Sequence, residues 1–202
     1  MAARRFVLAI TGASGAVYGR RLLEMLARTG AEIRLVLTGT AAAIVRRELG
    51  LRIDPADGPG AVRILLGRDA PNVRVHPADD LEAPFASGSW RHDGMAVCPC
   101  SLGCAARIAA GVSSNLVERA ADACLKERRS LVLVPRETPL SAIHLENLLR
   151  LSRAGAVILP AAPGFYAGPR RIEDLVDFVV ARVLDHLGVP HDLGPRYGEE
   201  EP

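Results

Sequence analysis

Short apolar runs alternate with helical patterns along this chain. The first run, at residues 6–10, is apolar and β-branched and ends abruptly in the glycine turn at 11–15. A helical pattern follows, with apolar positions at Val17, Leu22, Leu23 and Leu26. This order is typical of a buried parallel strand, a tight turn and a crossover helix.

The same alternation continues along the chain. Further strands are predicted at residues 32–37, 72–76, 95–98, 131–134 and 156–159. Helices are predicted at 41–49, 103–111, 115–127, 141–153 and 172–187, and the stretch 51–71, which has no clear period, is predicted to be a loop. The pattern favours an α/β fold with a Rossmann-like or flavodoxin-like doubly wound, mostly parallel sheet in a three-layer α/β/α arrangement. We expect one domain at 1–190, followed by a C-terminal tail at 191–202.

Composition narrows the classes of function. With 202 residues, 49% of them hydrophobic, the chain is long enough to bury a full core. A net charge of +2 provides no field that would recruit nucleic acid or an anionic membrane. No apolar run approaches the roughly 20 residues that span a bilayer. Four cysteines without a secretory signal favour the reducing cytoplasm. We therefore expect a cytoplasmic protein that acts on a small molecule.

The glycine turn predicts a phosphate site. Gly12, Ala13 and Ser14 lie where a strand meets a helix N-terminus, and backbone N–H groups there suit a phosphate. The turn does not match the GxGxxG dinucleotide pattern, and Thr38 stands where such a site has an acidic residue. No Tyr-x-x-x-Lys pair is present in the sequence. These observations favour a mononucleotide such as FMN; the alternative is a glycine turn that serves only close packing.

A second group of chemistry-bearing residues is charged. Arg119 and Lys126 are seven residues apart on one predicted helix, hence on one face. Lys126 is the only lysine among 25 basic residues. Arg136 and Glu137 follow a buried strand and lie between two prolines, where we expect them to face a cleft. For Arg119 and Lys126 the alternative is a solvated, ion-paired helix face.

Arg182 lies on the last predicted helix. We expect it on the side of Phe178, away from the acidic residues Asp174 and Asp177. Its long side chain either extends from an apolar surface or reaches an anion site or a neighbouring subunit.

Three cysteines, Cys98, Cys100 and Cys104, form a C-x-C-x3-C pattern after the third central strand. Cys98 and Cys100 are predicted to point to one face of the strand end. No second paired motif follows, and the histidines have no HExxH spacing, so we expect no metal site. Ser14 and Ser101 lie outside any GxSxG motif, which favours phosphate hydrogen bonding over a nucleophilic role.

Several longer motifs resemble one family. They are TGASGAVYG, CPCSLG, NLVERAADACLKERR, LVLVPRETPL and HLENLLRLSRAGAVILPAAPGFY. Together they resemble the UbiX-type flavin prenyltransferases over nearly the whole chain, least across 50–80. The resemblance implies transfer of a dimethylallyl group from dimethylallyl phosphate to N5 and C6 of reduced FMN, without a metal ion. It also implies a homododecamer and delivery of the prenylated FMN to a UbiD-type decarboxylase.

The resemblance further implies roles for individual residues. The catalytic positions would be Ser14, Glu137 and Glu48. The FMN-binding positions would be Gly12, Ala13, Ser14, Thr38, Ser101, Leu102, Gly103, Cys104 and Arg136. The positions around the prenyl phosphate would be Ser87, Gly88, Arg119, Lys126, Tyr166 and Arg182, several of them facing a neighbouring subunit. Cys104 stands where the family commonly has threonine, which removes a hydrogen-bond donor.

Two other functions compete with this one. A flavin-dependent cysteine decarboxylase would be expected to show a catalytic histidine after its third segment and a PxMNxxMW stretch, and neither is found in the sequence. A flavin-binding carrier or chaperone without catalysis would keep the glycine turn but would have no reason to hold Lys126, Glu137 and Arg182 together.

Overall fold

The computed structural model describes residues 3–194 and contains a six-stranded sheet. The strands are β1 (Arg5–Ile10), β2 (Glu32–Leu37), β3 (Val73–Pro77), β4 (Gly94–Cys100), β5 (Leu131–Pro135) and β6 (Val157–Ile158). The helices are α1 (Ala16–Arg28), α2 (Gly39–Leu49), α3 (Gly58–Leu66), α4 (Leu102–Ala109), α5 (Leu116–Lys126), α6 (Ala142–Arg153) and α7 (Ile172–His186).

All neighbouring strands pair in parallel, in the order β3-β2-β1-β4-β5-β6. The chain therefore leaves β1 in one direction, through β2 and β3, and then returns to the other side of β1 with β4. This confirms the predicted doubly wound α/β fold. The strand order reverses between β1 and β4, and ligands of such folds bind beyond the carboxyl ends of the strands at that point.

Each face of the sheet has its own apolar core. In β1, Phe6, Leu8 and Ile10 pack into one buried cluster, whereas Val7 and Ala9 pack into the other. Successive side chains of a strand point to opposite faces, so a strand covered on both faces is apolar throughout. This explains why the central strands read as continuous apolar runs and were predictable from the sequence.

Residues 51–71 differ from the prediction, because they include the helix α3. Its N-terminus is capped by Asp57, whose side chain accepts the N–H of Gly60 at 3.1 Å. Ala61, Val62 and Leu65 bury its inner face. The surrounding glycines and prolines hid this short apolar stripe in the sequence.

The end of β4 also differs from the prediction. Cys98 packs in the cluster on one face of the sheet and Cys100 in the cluster on the other. The cause is a shift in the pairing of β4 with β5 between Val97 and Cys100, which breaks the simple alternation of side chains. The prediction that both thiols point to one face was wrong.

The predicted division into a domain at 1–190 and a tail at 191–202 stays a prediction. The first tail residues belong to the described part of the chain, and Leu193 packs against the main core. Residues 195–202 lie outside the described residues. Within 3–194, none of the helices has the length and apolar character needed to cross a membrane.

Candidate active site

The loops that follow β1 and β4 are joined by one buried side chain. Thr11 Oγ1 donates to the carbonyl oxygen of Pro99 at 2.9 Å and accepts the backbone N–H of Ser101 at 2.8 Å. Thr11 is only 3% exposed. Because β1 and β4 flank the switch point of the sheet, this residue holds together the two turns predicted to bind FMN. Sequence analysis missed it, and its position directly after a buried strand was the only available signal.

The N-terminus of α1 is occupied by the carboxylate of Glu48, from α2. Oε2 accepts the backbone N–H of Gly15 at 2.9 Å and that of Ala16 at 2.8 Å. Burial acts to raise the pKa of this carboxyl, but hydrogen bonds from Ser14, Gly15 and Ala16 and the charge of Arg136 outweigh it, so the pKa lies below its usual range. Glu48 is therefore a carboxylate at neutral pH. It holds the glycine turn in place.

The turn packs closely on the start of α2. A side chain at Gly12 would place its Cβ 2.5 Å from Oγ1 of Thr40, so only glycine allows this approach. Thr38 caps α2 by accepting the N–H of Ala41 at 3.1 Å, and its hydroxyl lies 3.0 Å from that of Thr40. Thr40 was not singled out from the sequence. The hydroxyl of Thr38, a predicted FMN-binding residue, thus lies beside the glycine turn.

The second predicted flavin turn begins α4. Ser101 caps this helix by accepting the N–H of Cys104 at 3.3 Å. The thiols of Cys100 and Cys104 are hydrogen-bonded in the interior; this contact and burial raise the pKa of Cys100 well above its usual value. The Cys104 side chain is therefore part of the core, and its backbone is what it presents at the turn.

Arg136 and Glu137 follow β5 at the same edge of the sheet. Nε of Arg136 donates to the carbonyl oxygen of Ser14 at 3.1 Å, which ties the end of β5 to the glycine turn. Glu137 is exposed, and its Oε1 accepts the backbone N–H of Thr138 at 3.1 Å. The expectation that these charges face a cleft at the strand ends is consistent with this placement.

The donors at this edge fit FMN. The N-termini of α2 and α4, which are capped only by hydroxyls, meet there with the guanidinium of Arg136, and helix N-termini favour phosphate. Gly12, which packs closely on Thr40, has no side chain, so its backbone is available at this edge. Ser14, Thr38, Ser101 and Arg136 add hydrogen-bond donors for the phosphate and the polar edge of the ring.

The residues predicted around the prenyl phosphate lie elsewhere on the chain. Arg119 donates to the carbonyl oxygen of Ala86 at 3.2 Å, which packs α5 on the loop that contains Ser87 and Gly88. Lys126 lies at the other end of α5, about half exposed and 3.4 Å from Glu127. It lines a cavity of about 510 Å³ whose basic side chains are Lys126, Arg128, Arg129 and Arg153.

This cavity lies at the N-terminal ends of the strands, whereas the glycine turn lies at their C-terminal ends. Ser130, which precedes β5, lines the cavity, whereas Arg136 follows β5. The strand between them has five residues and therefore spans roughly 16 Å. Lys126 and Arg136 of one chain cannot both contact one small phosphate.

Tyr166 and Arg182 line a third place, a cavity of about 660 Å³ beside α7. The ring of Tyr166 packs edge-on against Phe178 with centroids 5.8 Å apart. Arg182 shares the cavity wall with Phe178, as expected, but also with Asp174 and Asp177. Its hydrogen-bond partner is Asp185, at 2.8 Å, whereas Asp177 binds Arg21, so the placement of Arg182 away from Asp174 and Asp177 stays a prediction. Asp185 and His191, which also line this cavity, were not predicted.

Within one chain the structure thus brings the predicted FMN residues together with Glu48, but places the predicted prenyl-phosphate residues in two other regions. Among residues 3–194 there is no set of three His, Cys, Asp or Glu side chains arranged to hold a metal ion. All four cysteines are buried free thiols.

The comparisons with known proteins agree on one family. The flavoprotein family model matches residues 1–184. The chain is 52% identical over 200 residues to the flavin prenyltransferase UbiX of Pseudomonas aeruginosa, covering 97% of this chain and 95% of that relative. It matches AnUbiX (PadA1), solved in complex with FMN and dimethylallyl pyrophosphate, with a TM-score of 0.87 and 44% identity over 99% of this chain and 100% of the other.

A second solved structure, a dodecameric FMN-dependent UbiX-like decarboxylase from Escherichia coli O157:H7, matches with a TM-score of 0.85 and 41% identity. It covers 96% of this chain and 100% of the other. These similarities extend over the glycine turn, the strand ends and α7 alike. The chain is therefore a member of the flavoprotein family and, within it, of the UbiX-type flavin prenyltransferases.

Proposed function

We propose that this protein transfers the dimethylallyl group of dimethylallyl phosphate to N5 and C6 of reduced FMN and releases inorganic phosphate. Reduced FMN, when bound, supplies the nucleophilic atoms and a π face for the allylic group. The observation that carries the proposal is the convergence of the N-termini of α2 and α4 and of Arg136 on the glycine turn, at the switch point of the sheet. The proposal is supported by the 52% identity to the flavin prenyltransferase UbiX of Pseudomonas aeruginosa.

The FMN would be held at the carboxyl edge of the sheet by both glycine-containing turns. Its binding residues would be Gly12, Ala13, Ser14, Thr38, Ser101, Leu102, Gly103, Cys104 and Arg136. Thr11 fixes the distance between the two turns, because its hydroxyl bonds to both sides. Cys104 would contribute its backbone, since its thiol lies in the core.

The prenyl phosphate would be bound between chains. Lys126 lies too far from Arg136 to share a phosphate with it in one chain, so the site needs Ser87, Gly88, Arg119 and Lys126 from a neighbour. We propose a homo-oligomer, a dodecamer like the similar structure from Escherichia coli. Lys126→Ala chains and Arg136→Ala chains should each be inactive alone. Mixed oligomers should regain activity, because some of their sites combine Arg136 of a Lys126→Ala chain with Lys126 of an Arg136→Ala chain. No recovery after verified subunit exchange would contradict the shared site.

Four residues would act on the reacting groups, and a fifth would hold one of them in place. Fixed cations, including Lys126 and Arg182, would stabilise the charge on the departing phosphate in place of water. Glu137 would hold and move the proton, since it follows β5 directly after Arg136, which contacts the glycine turn, and its side chain is exposed there. Ser14 would contact the phosphate, and Glu48, already ionised, would hold Ser14 and the turn.

The product, prenylated FMN, would serve a UbiD-type decarboxylase, and the reaction would take place in the cytoplasm. The free state of all four cysteines supports a reducing compartment. The donor is the monophosphate in this proposal, although the similar structure holds dimethylallyl pyrophosphate.

The test is an anaerobic incubation of the protein with FMN, dithionite and either dimethylallyl phosphate or dimethylallyl diphosphate, followed by mass spectrometry of the flavin. We expect the mass of one prenyl unit to be added with the monophosphate. Unmodified FMN with both donors, after full reduction and with FMN still bound, would contradict the proposal and favour the carrier function.

A further inference from the structure

Three side chains form a hydrogen-bonded chain along the wall of the cavity beside α7. Nη1 of Arg182 donates to Oδ2 of Asp185 at 2.8 Å, and Oδ1 of the same carboxylate lies 3.2 Å from Nε2 of His191. Arg182 and Asp185 are on α7, and His191 comes from the segment after it. The chain leads from a half-exposed cation to an almost buried ring, because the Arg182 and His191 side chains are 55% and 3% exposed.

The imidazole of His191 is held in one tautomer. The backbone N–H of Leu193 donates to its Nδ1 at 3.2 Å, so Nδ1 is the acceptor and Nε2 carries the proton. Nε2 therefore donates to Asp185. Since Leu193 packs in the main core, the orientation of the ring is set by the interior of the protein.

This arrangement restrains the Arg182 guanidinium more than a surface ion pair alone would. An exposed pair three residues apart on a helix restrains its partners only weakly. Here the second carboxylate oxygen of Asp185 is engaged by the buried His191, so the acceptor for Arg182 has one position. Hydrogen bonds from an outer partner commonly fix the orientation of the side chain that contacts a ligand.

The other carboxylates of the cavity already have partners. Asp177 binds Arg21 through two hydrogen bonds of 2.7 and 3.0 Å. Asp174 accepts the backbone N–H groups of Arg170 and Arg171 at 2.9 and 3.0 Å and pairs with the Arg171 guanidinium at 3.3 Å. An anion that enters the cavity would therefore meet Arg182 without facing an unbalanced negative charge.

We propose that Asp185 and His191 are positioning residues that hold the Arg182 guanidinium in the orientation that binds the phosphate of the prenyl donor. This inference rests on the proposed function, because that function gives Arg182 its ligand. Neither residue touches the reacting atoms. They act through Arg182, so their loss affects donor binding rather than FMN binding.

The test compares His191→Leu, His191→Gln and Asp185→Ala with the wild type. Glutamine can donate to Asp185 and accept from the Leu193 N–H, whereas leucine fills the space and does neither. We expect His191→Leu and Asp185→Ala to raise KM and the dissociation constant for dimethylallyl phosphate about tenfold, with kcat and FMN affinity little changed. His191→Gln should stay near the wild type. Asp192→Ala, at an exposed aspartate next to His191, is the control.

Calorimetric titration of the FMN-loaded protein with dimethylallyl phosphate separates the possible results, with thermal melting to verify folding. Unchanged binding in His191→Leu and Asp185→Ala would overturn the inference. So would equal losses in His191→Leu and His191→Gln, which would indicate packing alone, or no binding by the wild type. A wild type that binds the donor but never prenylates FMN would contradict the proposed function instead, and the binding comparison would still decide the inference.

Discussion

Glu48 Oε2 accepts the backbone N–H of Gly15 at 2.9 Å, so a carboxylate of the chain itself occupies the positive end of α1. A phosphate could use that N–H only by displacing Glu48. The N-termini of α2 and α4, by contrast, are capped by the neutral hydroxyls of Thr38 and Ser101. We therefore expect the FMN phosphate to bind near α2 and α4 while Glu48 keeps the glycine turn in shape.

Replacing Glu48 by glutamine should change how stability depends on pH. The folded-state pKa of Glu48 lies below its ordinary value of 4.5. Its contribution is therefore present above the unfolded pKa and is lost as the pH falls through the folded pKa. We expect Glu48→Gln to lower the free energy of unfolding by about 0.5–1 kcal/mol at neutral pH, with the difference shrinking at an acidic pH below the folded-state pKa. Urea unfolding at both pH values measures it.

The control for this prediction is Glu146→Gln, at an exposed glutamate on α6. Its effect on the free energy of unfolding should be small, because the side chain is exposed. If Glu48→Gln lowered the free energy of unfolding equally at low pH, the shape of the Glu48 side chain, and not its charge, would be what stabilises the turn.

The parts of the fold that the sequence predicted are those dictated by local pattern. Short apolar runs bounded by turn residues, such as the one around Leu8, are typical of a buried parallel strand, and Thr38 after the second run marks a helix start. The missed helix α3 carries its apolar stripe among glycines and prolines. The orientation of Cys100 depends on a pairing shift with β5, which is a property of the sheet and not of its own strand.

Replacing Thr11 by valine should weaken the connection between the two turns of the FMN site. Valine keeps the shape but leaves the N–H of Ser101 without its acceptor, whereas the carbonyl oxygen of Pro99 still accepts the backbone N–H of Thr11 at 3.2 Å. Unsatisfied buried polar groups typically cost about 1–3 kcal/mol. We expect a loss of that size in unfolding free energy and weaker FMN binding, measured by denaturation and by fluorescence titration.

Thr29→Val provides the matched control for Thr11. Thr29 lies at the C-terminus of α1, and its hydroxyl donates to the carbonyl oxygen of Leu26 at 2.7 Å on the exposed side of the protein. We expect little change in FMN affinity for this variant. Equal FMN affinities for both threonine variants would show that the Thr11 hydroxyl does not contribute to the FMN site.

The site was less predictable than the fold because its connections are long-range. Glu48 and Gly15 are 33 positions apart, and Arg136 reaches Ser14 across 122 positions. The sequence indicated which residue types could bind a phosphate, but not that Glu48 would occupy one helix end. It also did not indicate that Asp185, the partner of Arg182, would be held by His191, because His191 lies beyond the last predicted helix.

Glu137→Gln should retain FMN and slow the reaction. Glutamine keeps the size of the side chain and a hydrogen-bond acceptor but cannot exchange a proton. Loss of a positioned acid–base group typically reduces the rate by about 10²–10⁴-fold. Chromatography of the flavin products under anaerobic conditions gives the rate, with Glu146→Gln as the control. Wild-type rates in Glu137→Gln would exclude the assigned role and direct attention to Glu48.

Lys126→Arg should separate a phosphate contact from an ordinary surface cation. Lys126 is half exposed, and its cavity already holds Arg128, Arg129 and Arg153. An ammonium is a compact point charge with three rotatable donors, whereas a guanidinium is a broad planar fork. A small phosphate enclosed between two chains would accept the first and be displaced by the second. We expect folding and FMN binding to persist while KM for dimethylallyl phosphate rises at least about tenfold or turnover is lost.

The control for Lys126→Arg must lie outside that cavity. Arg63 on α3 is exposed and pairs with Asp69 at 2.8 Å, and Arg63→Lys makes the reverse exchange of cations far from the predicted phosphate. Exposed ion pairs contribute little and tolerate such exchanges, so its steady-state constants should match the wild type. If Lys126→Arg matched them too, the single lysine of the chain would be one more solvated cation, and the shared phosphate site would have to be built from Arg119 and Arg182 alone.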